Sequence, residues 1–275
     1  IKSLGHRADR RGAVREMGRF MASKPKTAKR KSSKPAQLKR APGKPLYAQV
    51  EEIIRKRLID NYWKPGEALP SEFELAEELS VSQGTVRKAL NDMVAENLLE
   101  RRQGRGTFVS EYTERRALFL YFNLKSRDGD QTMPSSRTLA CEQRPATETE
   151  RDRLELGEGA YVVAMHRVRE LRERPVIVER LTLPRDLFPG LGGDLKLPEN
   201  LYRFYQGEYG ITVAKASESV SAVPAEALEA QLLGIMPDAP LLEIDRVAIT
   251  IDGRPVEWRV SRCNTSDYTY VAERG

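Results

Sequence analysis

Two groups of residues carry hydrogen-bond donors at spacings that suit a negatively charged partner. In residues 161–170 (YVVAMHRVRE), Arg167 and Arg169 lie two apart in a β-rich run, so on a strand they point to one face. A second β-rich run, residues 175–183 (PVIVERLTL), follows a short charged turn and brings Glu179 onto the partner strand of a hairpin. Two guanidiniums on one sheet face make a clamp for phosphate or carboxylate. The same pattern suits a cross-strand salt-bridge set on a solvated face, and spacing alone leaves both readings open. His166 alternates to the opposite face and reads as structural. The second group is Gln83, Thr85, Arg87 and Lys88, crowded into the first two turns of a helical pattern over residues 83–96. Val86, Leu90, Met93 and Val94 fall on the buried side of that helix, so most of the polar residues face out. A helix whose N-terminal end offers donors to phosphates and base edges suits the major groove of DNA. The plain alternative for such charges is a solvated helix face.

The elements that must hold the second group in place are legible around it. Ser71 suits a helix N-cap, with Glu74 completing a capping box, and Leu75, Ala76 and Leu79 give this short helix one apolar side. Ser82 reads as a second N-cap, which leaves only a few residues between the two helices. Upstream, Leu46, Tyr47, Val50, Ile53, Ile54 and Leu58 recur at helical spacing and predict a first helix, to about Asn61, packed under the other two. Downstream, residues 98–102 and 107–110 read as short strands joined by Gln103-Gly104-Arg105-Gly106, where the glycines permit a tight turn and Arg105 puts a charge at its tip.

Six pieces in order between residues 45 and 109 together resemble the GntR family of bacterial transcription regulators: PLYAQV, Trp63-Lys64-Pro65-Gly66, LPSE, ELA, VS..TVRKAL and GRGTFV. The remainder of the chain looks like that family's HutC branch, with a UTRA effector domain over about residues 118–273. The resemblance implies DNA contacts from Ser71, Ser82, Gln83, Thr85, Arg87, Lys88, Arg105, Gly106 and Thr107, with the helix at Gln83 in the major groove and the Arg105 tip in the adjacent minor groove. It also implies an effector pocket lined by Asn123, Arg167, Arg169, Glu179, Tyr202 and Glu257. The chain departs from the family pattern at four places. Phe73 and Gln83 stand where many relatives have Arg, Asn200 replaces a usual Ser or Thr, and Cys263-Asn264 stands where Tyr-Arg is frequent. The first two departures bear on operator sequence and the last two on effector identity, not on fold. Gln83 retains the capacity to read adenine bidentately.

Composition bounds the rest. At 275 residues the chain is long enough for two domains with separate cores. Mean hydropathy is −0.55, and no apolar run approaches the roughly 18–20 residues of a membrane span. No apolar stretch follows the N-terminal basic residues, so no secretory signal is expected and a cytoplasmic location is. Two cysteines make neither a disulfide framework nor a metal quartet, and read as buried or idle thiols. With only His6 and His166, a His-based catalytic or metal site is hard to assemble, and no metal, cofactor or catalytic residue is expected. Residues 1–44 hold fifteen Lys and Arg against two acids; of the chain totals of 46 and 40 this leaves 31 basic against 38 acidic residues, a net of −7 for the rest. Residues 1–43 are therefore expected to be a disordered basic tail, read first as a solvated leader and second as an arm adding nonspecific phosphate contacts.

Further along, the expected order is a winged helix-turn-helix over residues 44–112, a linker at 113–117, and an α+β domain built on an antiparallel sheet, similar to chorismate lyase, over 118–273. Within it, residues 117–124 and 137–143 are strand candidates and 147–156 a short helix stopped at Gly157. A helix starts at Asn200, a strand spans 211–222, a helix spans 224–233 with Pro224 in its first turn, and strands 241–251 and 256–262 flank Asp252-Gly253. The reading that unites these parts is a sequence-specific regulator, with a repressor released by its ligand preferred over an activator. Its partners would be double-stranded DNA carrying a pseudo-palindromic operator, a small anionic effector (a sugar phosphate, carboxylate or phosphonate), and a second copy in a homodimer, with no membrane partner. A lyase-like enzyme is the rival from another class, disfavoured because no nucleophile–base pair is present. A nonspecific nucleic-acid binder acting through the basic tail is the other.

Overall fold

The computed structural model describes residues 43–111, 123–129, 134–192 and 197–271. The expected tail, apart from Gly43, lies outside the described residues, as do the expected linker at 113–117 and most of the strand candidate at 117–124.

The first core forms because three helices each bury one apolar stripe against the others. Helix α1 (Leu46–Ile59) contributes Val50, Ile54 and Leu58; α2 (Glu72–Leu79) contributes Leu75 and Leu79; α3 (Gln83–Ala95) contributes Val86, Ala89, Leu90 and Met93. Val94, expected on the buried side, is only half-buried, because Ala89 takes the inward position. The Ser71 capping box is formed in both directions, by Glu74 N–H to Ser71 Oγ at 3.2 Å and Ser71 N–H to Glu74 Oε2 at 2.8 Å. Ser80, left-handed at φ 55°, ends α2, and Ser82 caps α3 by accepting from Thr85 N–H at 3.2 Å. The tight link between α2 and α3 follows from those two serines. Strands β1 (Leu99–Arg102) and β2 (Gly106–Val109) pair antiparallel as the wing. Gly66, at φ +76°, donates its N–H to the Val109 carbonyl at 2.9 Å, and a Cβ there would strike the Glu111 carboxylate at 2.6 Å.

The second core rests on a six-stranded sheet: β4 (Ser135–Pro145), β5 (Tyr161–Leu171), β6 (Arg174–Pro184), β7 (Val213–Pro224), β8 (Pro240–Thr250) and β9 (Pro255–Cys263). The strand order is β4-β5-β6-β9-β8-β7, antiparallel throughout. A separate short pair joins β3 (Leu124–Ser126) to β10 (Tyr268–Tyr270). The β5–β6 turn is made by Arg172 and Glu173, both at positive φ, the geometry that matches hairpin twist. Two helices, α4 (Glu148–Leu154) and α6 (Ala227–Leu233), lie over one face, against Val162 and against Val168 and Val178 respectively. Helix α5 (Leu201–Tyr209) covers the other face, over Val163, Met165, Leu181 and Leu183. Pro224 ends β7 instead of opening α6. The helix starts three residues later, at Ala227 behind its cap Glu226, because the extended pairing with β8 runs through Pro224↔Pro240.

Candidate DNA interface and ligand site

The outward face of α3 carries Gln83, Arg87 and Asn91 at intervals of four, all exposed, with Lys88 alongside. The exposed N-caps Ser71 and Ser82 sit at the starts of α2 and α3, and Thr85, half-buried, is hydrogen-bonded to Ser82 Oγ at 2.8 Å. Arg87 is anchored through Nε to Glu72 Oε2 at 2.9 Å, and Lys88 reaches Asp92 at 3.1 Å and lies 4.3 Å from the centre of the Tyr47 ring. The wing tip exposes Arg105 and Gly106. Thr107, beside them, is buried, and its carbonyl accepts from Leu69 N–H at 2.9 Å, so it ties the wing to the body. Phe73, at one of the departures from the family pattern, is 67 % exposed in the first turn of α2.

On the α5 face of the sheet the expected clamp residues come together, but buried. Arg167 and Glu179 are directly opposite in the β5–β6 ladder, and Arg169 Nη1 reaches Glu179 Oε1 at 3.4 Å. The face is therefore not a solvated salt-bridge ladder. Burial opposes the ionisation of Glu179, but Arg169, Arg259 and Arg167 outweigh it and hold the carboxyl down at about 2. Arg167 is 1 % exposed; Nη2 donates to the Pro198 carbonyl at a long 3.4 Å, and its Nε is buried with no hydrogen-bond acceptor. The loop that supplies Pro198 continues to Asn200, which caps α5 by accepting from Arg203 N–H at 3.1 Å and leaves its own buried Nδ2 without an acceptor. A Ser or Thr at this position would cap equally well but would offer a single hydroxyl donor in place of the amide NH2.

Glu257 is held by its neighbours on both oxygens. It was expected to point into the pocket, yet it is fully buried with both oxygens engaged: Tyr202 Oη donates at 3.1 Å, Tyr205 Oη at 2.7 Å, and Arg259 bidentately at 2.9 Å through Nε and Nη2. Burial and the neighbouring Glu257 carboxylate push the Tyr205 phenol up, so it stays protonated and donating. The cavity beside the clamp measures about 30 Å³, room for about one water. Asn123, Arg169 and Glu179 line it together with Arg246, Arg259 and Ser261, whereas Arg167, Tyr202 and Glu257 do not line it. A larger hollow of about 610 Å³ opens on the opposite face, between β4 and β9, where His166 sits. Its principal charges are committed to one another, as in Arg144–Glu150 and Arg262–Glu243.

Arg246, Arg259, Ser261 and Tyr205 are cluster members absent from the sequence reading. The period of two along β9 pointed to Arg259 and Ser261 once Glu257 was chosen, and Tyr205 lies one helical turn from Tyr202. Arg246 enters only through the register that sets it opposite Arg259. Among the described residues no helix is long and apolar enough to cross a membrane.

A winged helix-turn-helix followed by a separate sheet domain with a buried arginine–carboxylate cluster is the build of a DNA-binding transcription regulator. Comparison with known proteins bears this out. Residues 46–109 match the family described as bacterial regulatory proteins, gntR family, and residues 130–269 match the UTRA domain. The chain is 31 % identical over 235 residues to the mannosyl-D-glycerate transport/metabolism system repressor MngR of Escherichia coli, covering 84 % of this chain and 97 % of that one. It is 30 % identical over 231 residues to the HTH-type transcriptional repressor NagR of Bacillus subtilis, covering 82 % and 93 %. Among solved structures, the ligand-binding domain of a putative GntR-family transcriptional regulator from Bordetella bronchiseptica superposes with TM-score 0.52 at 31 % identity, covering 56 % of this chain and 96 % of that one. The chain belongs to the HutC branch of the GntR family and is a DNA-binding transcriptional regulator.

Proposed function

We propose that this regulator is a repressor whose hold on its operator is released by a small anionic molecule seated against Arg167. The observation that carries this reading is the state of that guanidinium: it is removed from water, with one long hydrogen bond and an Nε that has no acceptor. Leaving a buried charged donor unpaired is costly, and an anionic oxygen is the partner that would relieve the cost. The buried amide of Asn200 and the start of α5 add donors from the same side. The sugar phosphate, carboxylate and phosphonate classes all supply such an oxygen. The names of two relatives associate them with a mannosyl-glycerate system and, as a probable assignment, a fructoselysine operon, which favours a sugar derivative that bears a carboxylate. The adjoining cavity is too small for such a molecule, so binding requires α5 and its leading loop to move outward.

Movement of α5 supplies the link to DNA. Gln206, one turn beyond Tyr202, donates through Nε2 to the carbonyl of Ser110, directly after the wing, at 3.3 Å. In the DNA-bound arrangement Gln83, Thr85, Arg87 and Lys88 face the major groove, Arg105 and Gly106 reach the minor groove, and Ser71 and Ser82 contact phosphates. Two copies related by a two-fold axis present two such faces to a pseudo-palindrome. A ligand that favours the arrangement with displaced winged domains then lowers operator affinity by its preference between the two states. The test is fluorescence anisotropy on a duplex enriched from a random pool by the wild-type chain, titrated with sugar phosphates, sugar carboxylates and phosphonates. Release by at least one of these classes, abolished in Arg167→Met, is expected; indifference to all three would reject ligand control through this site.

A further inference from the structure

Glu72 occupies an odd place for a carboxylate. It is the first residue of α2 and stands among the donors of the surface that meets DNA, where a negative charge opposes binding to phosphate. Its oxygens are divided between two arginines: Oε2 accepts from Arg87 Nε at 2.9 Å, and Oε1 from Arg101 Nη2 at 3.0 Å. Arg101 comes from β1 of the wing and is also held by Asn91 Oδ1 of α3 at 2.7 Å. One carboxylate thus ties α2, α3 and the wing at a single point. The Glu72 side chain is 16 % exposed, whereas those of Arg87 and Arg101 are 57 % and 43 % exposed, so the anchor is recessed and the cations are outermost. Because Glu72 takes Arg87 by its Nε, the Nη1/Nη2 edge is left for another partner, and that edge can engage guanine O6 and N7 or a phosphate bidentately.

We propose that Glu72 is a positioning residue for DNA reading, which presets Arg87 and Arg101 as a pair, and that Arg101 is a DNA contact made from the first strand of the wing. The inference rests on the reading that α3 lies in the major groove. Its energetic logic is preorganisation: long flexible cations lose side-chain freedom on binding, and a fixed carboxylate removes part of that loss beforehand. The repulsion of one recessed carboxylate is offset by the two cations it aims outward.

The sign of one substitution separates this from ordinary surface pairing. If Glu72 only neutralises charge, Glu72→Gln removes a negative group facing a polyanion and tightens binding to every duplex. On the proposal, Glu72→Gln in the full chain loosens the enriched duplex about tenfold while affinity for a scrambled duplex of equal length holds or rises. The ratio of the two affinities, taken on one protein sample, is insensitive to any loss of folded fraction, so a weakened α2 does not imitate the effect. Arg101→Ala should weaken the enriched duplex and reduce the slope of log affinity against log salt by about 0.9. In an Arg87→Ala, Arg101→Ala background, Glu72→Gln should no longer lower the ratio. An unchanged ratio in Glu72→Gln, with Arg87→Ala still lowering it, would overturn the role of Glu72 and leave α3 as the reading helix. Loss of the ratio in neither variant would overturn both.

Discussion

Glu257 and Arg259, two residues apart on β9, form a bidentate ion pair with both contacts at 2.9 Å, wholly inside the sheet domain. Tyr202 and Tyr205 complete the acceptor set of Glu257, so the pair pins α5 to the sheet. This glutamate acts as a structural fastener, which is why the proposed ligand is placed against Arg167 and not against Glu257.

Removing the fastener should therefore cost stability before it costs affinity. Glu257→Gln leaves buried Arg259 with the long contact to Glu179 as its only remaining ion pair among the described residues, and breaking a buried pair in this way costs about 3–5 kcal/mol. Urea unfolding followed by tryptophan fluorescence in a Trp63→Phe background, which leaves Trp258 as the sole reporter, measures it; a loss under about 1 kcal/mol would show that the pair contributes little.

Arg167 predicts the reverse. Its charge is poorly paired, and Glu179 keeps Arg169 and Arg259 if Arg167 is removed. Arg167→Met should leave the ligand-free protein as stable or more stable, by up to roughly 4 kcal/mol, while losing the rise in melting temperature that an anionic ligand confers. A thermal-shift comparison with and without the sugar phosphate and carboxylate probes reads both effects at once.

Acid should unfasten the same cluster. Glu179 ionises at about 2 in the folded chain against about 4.3 in an unfolded one, so its contribution is complete above roughly pH 5 and fades as pH falls toward 2. Glu150, held at about 2 by Arg144 and the Thr147 N–H despite its burial, loses its contribution over the same range. Chemical unfolding from pH 6 to pH 2.5 should show stability falling with acid, and Glu179→Gln, less stable at neutral pH, should show a shallower fall.

The wing tip offers an electrostatic prediction. Arg105 is exposed between Gly104 and Gly106, at φ +67° and +109°. Arg105→Ala should preserve folding, weaken enriched and scrambled duplexes by similar factors, and lower the salt slope by about 0.9 if its partner is a phosphate. A selective loss on the enriched duplex would instead assign Arg105 to base reading in the minor groove.

The N-terminal domain was almost fully legible because its signals are local. Ser71 with Glu74, and Ser82 with Thr85, act within a single helical turn, and the apolar stripes of α1 to α3 repeat every three or four residues. The β5–β6 hairpin was legible for the same reason, since alternation and a short turn bring Arg167 opposite Glu179. Pro224 misled because its fixed φ suits both a helix start and the end of a strand, and only the partner strand β8 distinguishes them.

What the amino-acid order determined alone is therefore most of the helices and strands, the residues on each face, and through them the kind of protein; the short β3–β10 pair was not among them. Tertiary structure decided which faces meet. Arg246 joined the cluster through a strand neighbour distant in the chain, Thr107 turned inward, Glu257 was claimed by two tyrosines of α5, and Arg167 was left short of partners under Pro198. Such outcomes depend on three-dimensional packing and on the removal of water from charged groups. Neither has a period in the sequence, so neither is written there as a motif.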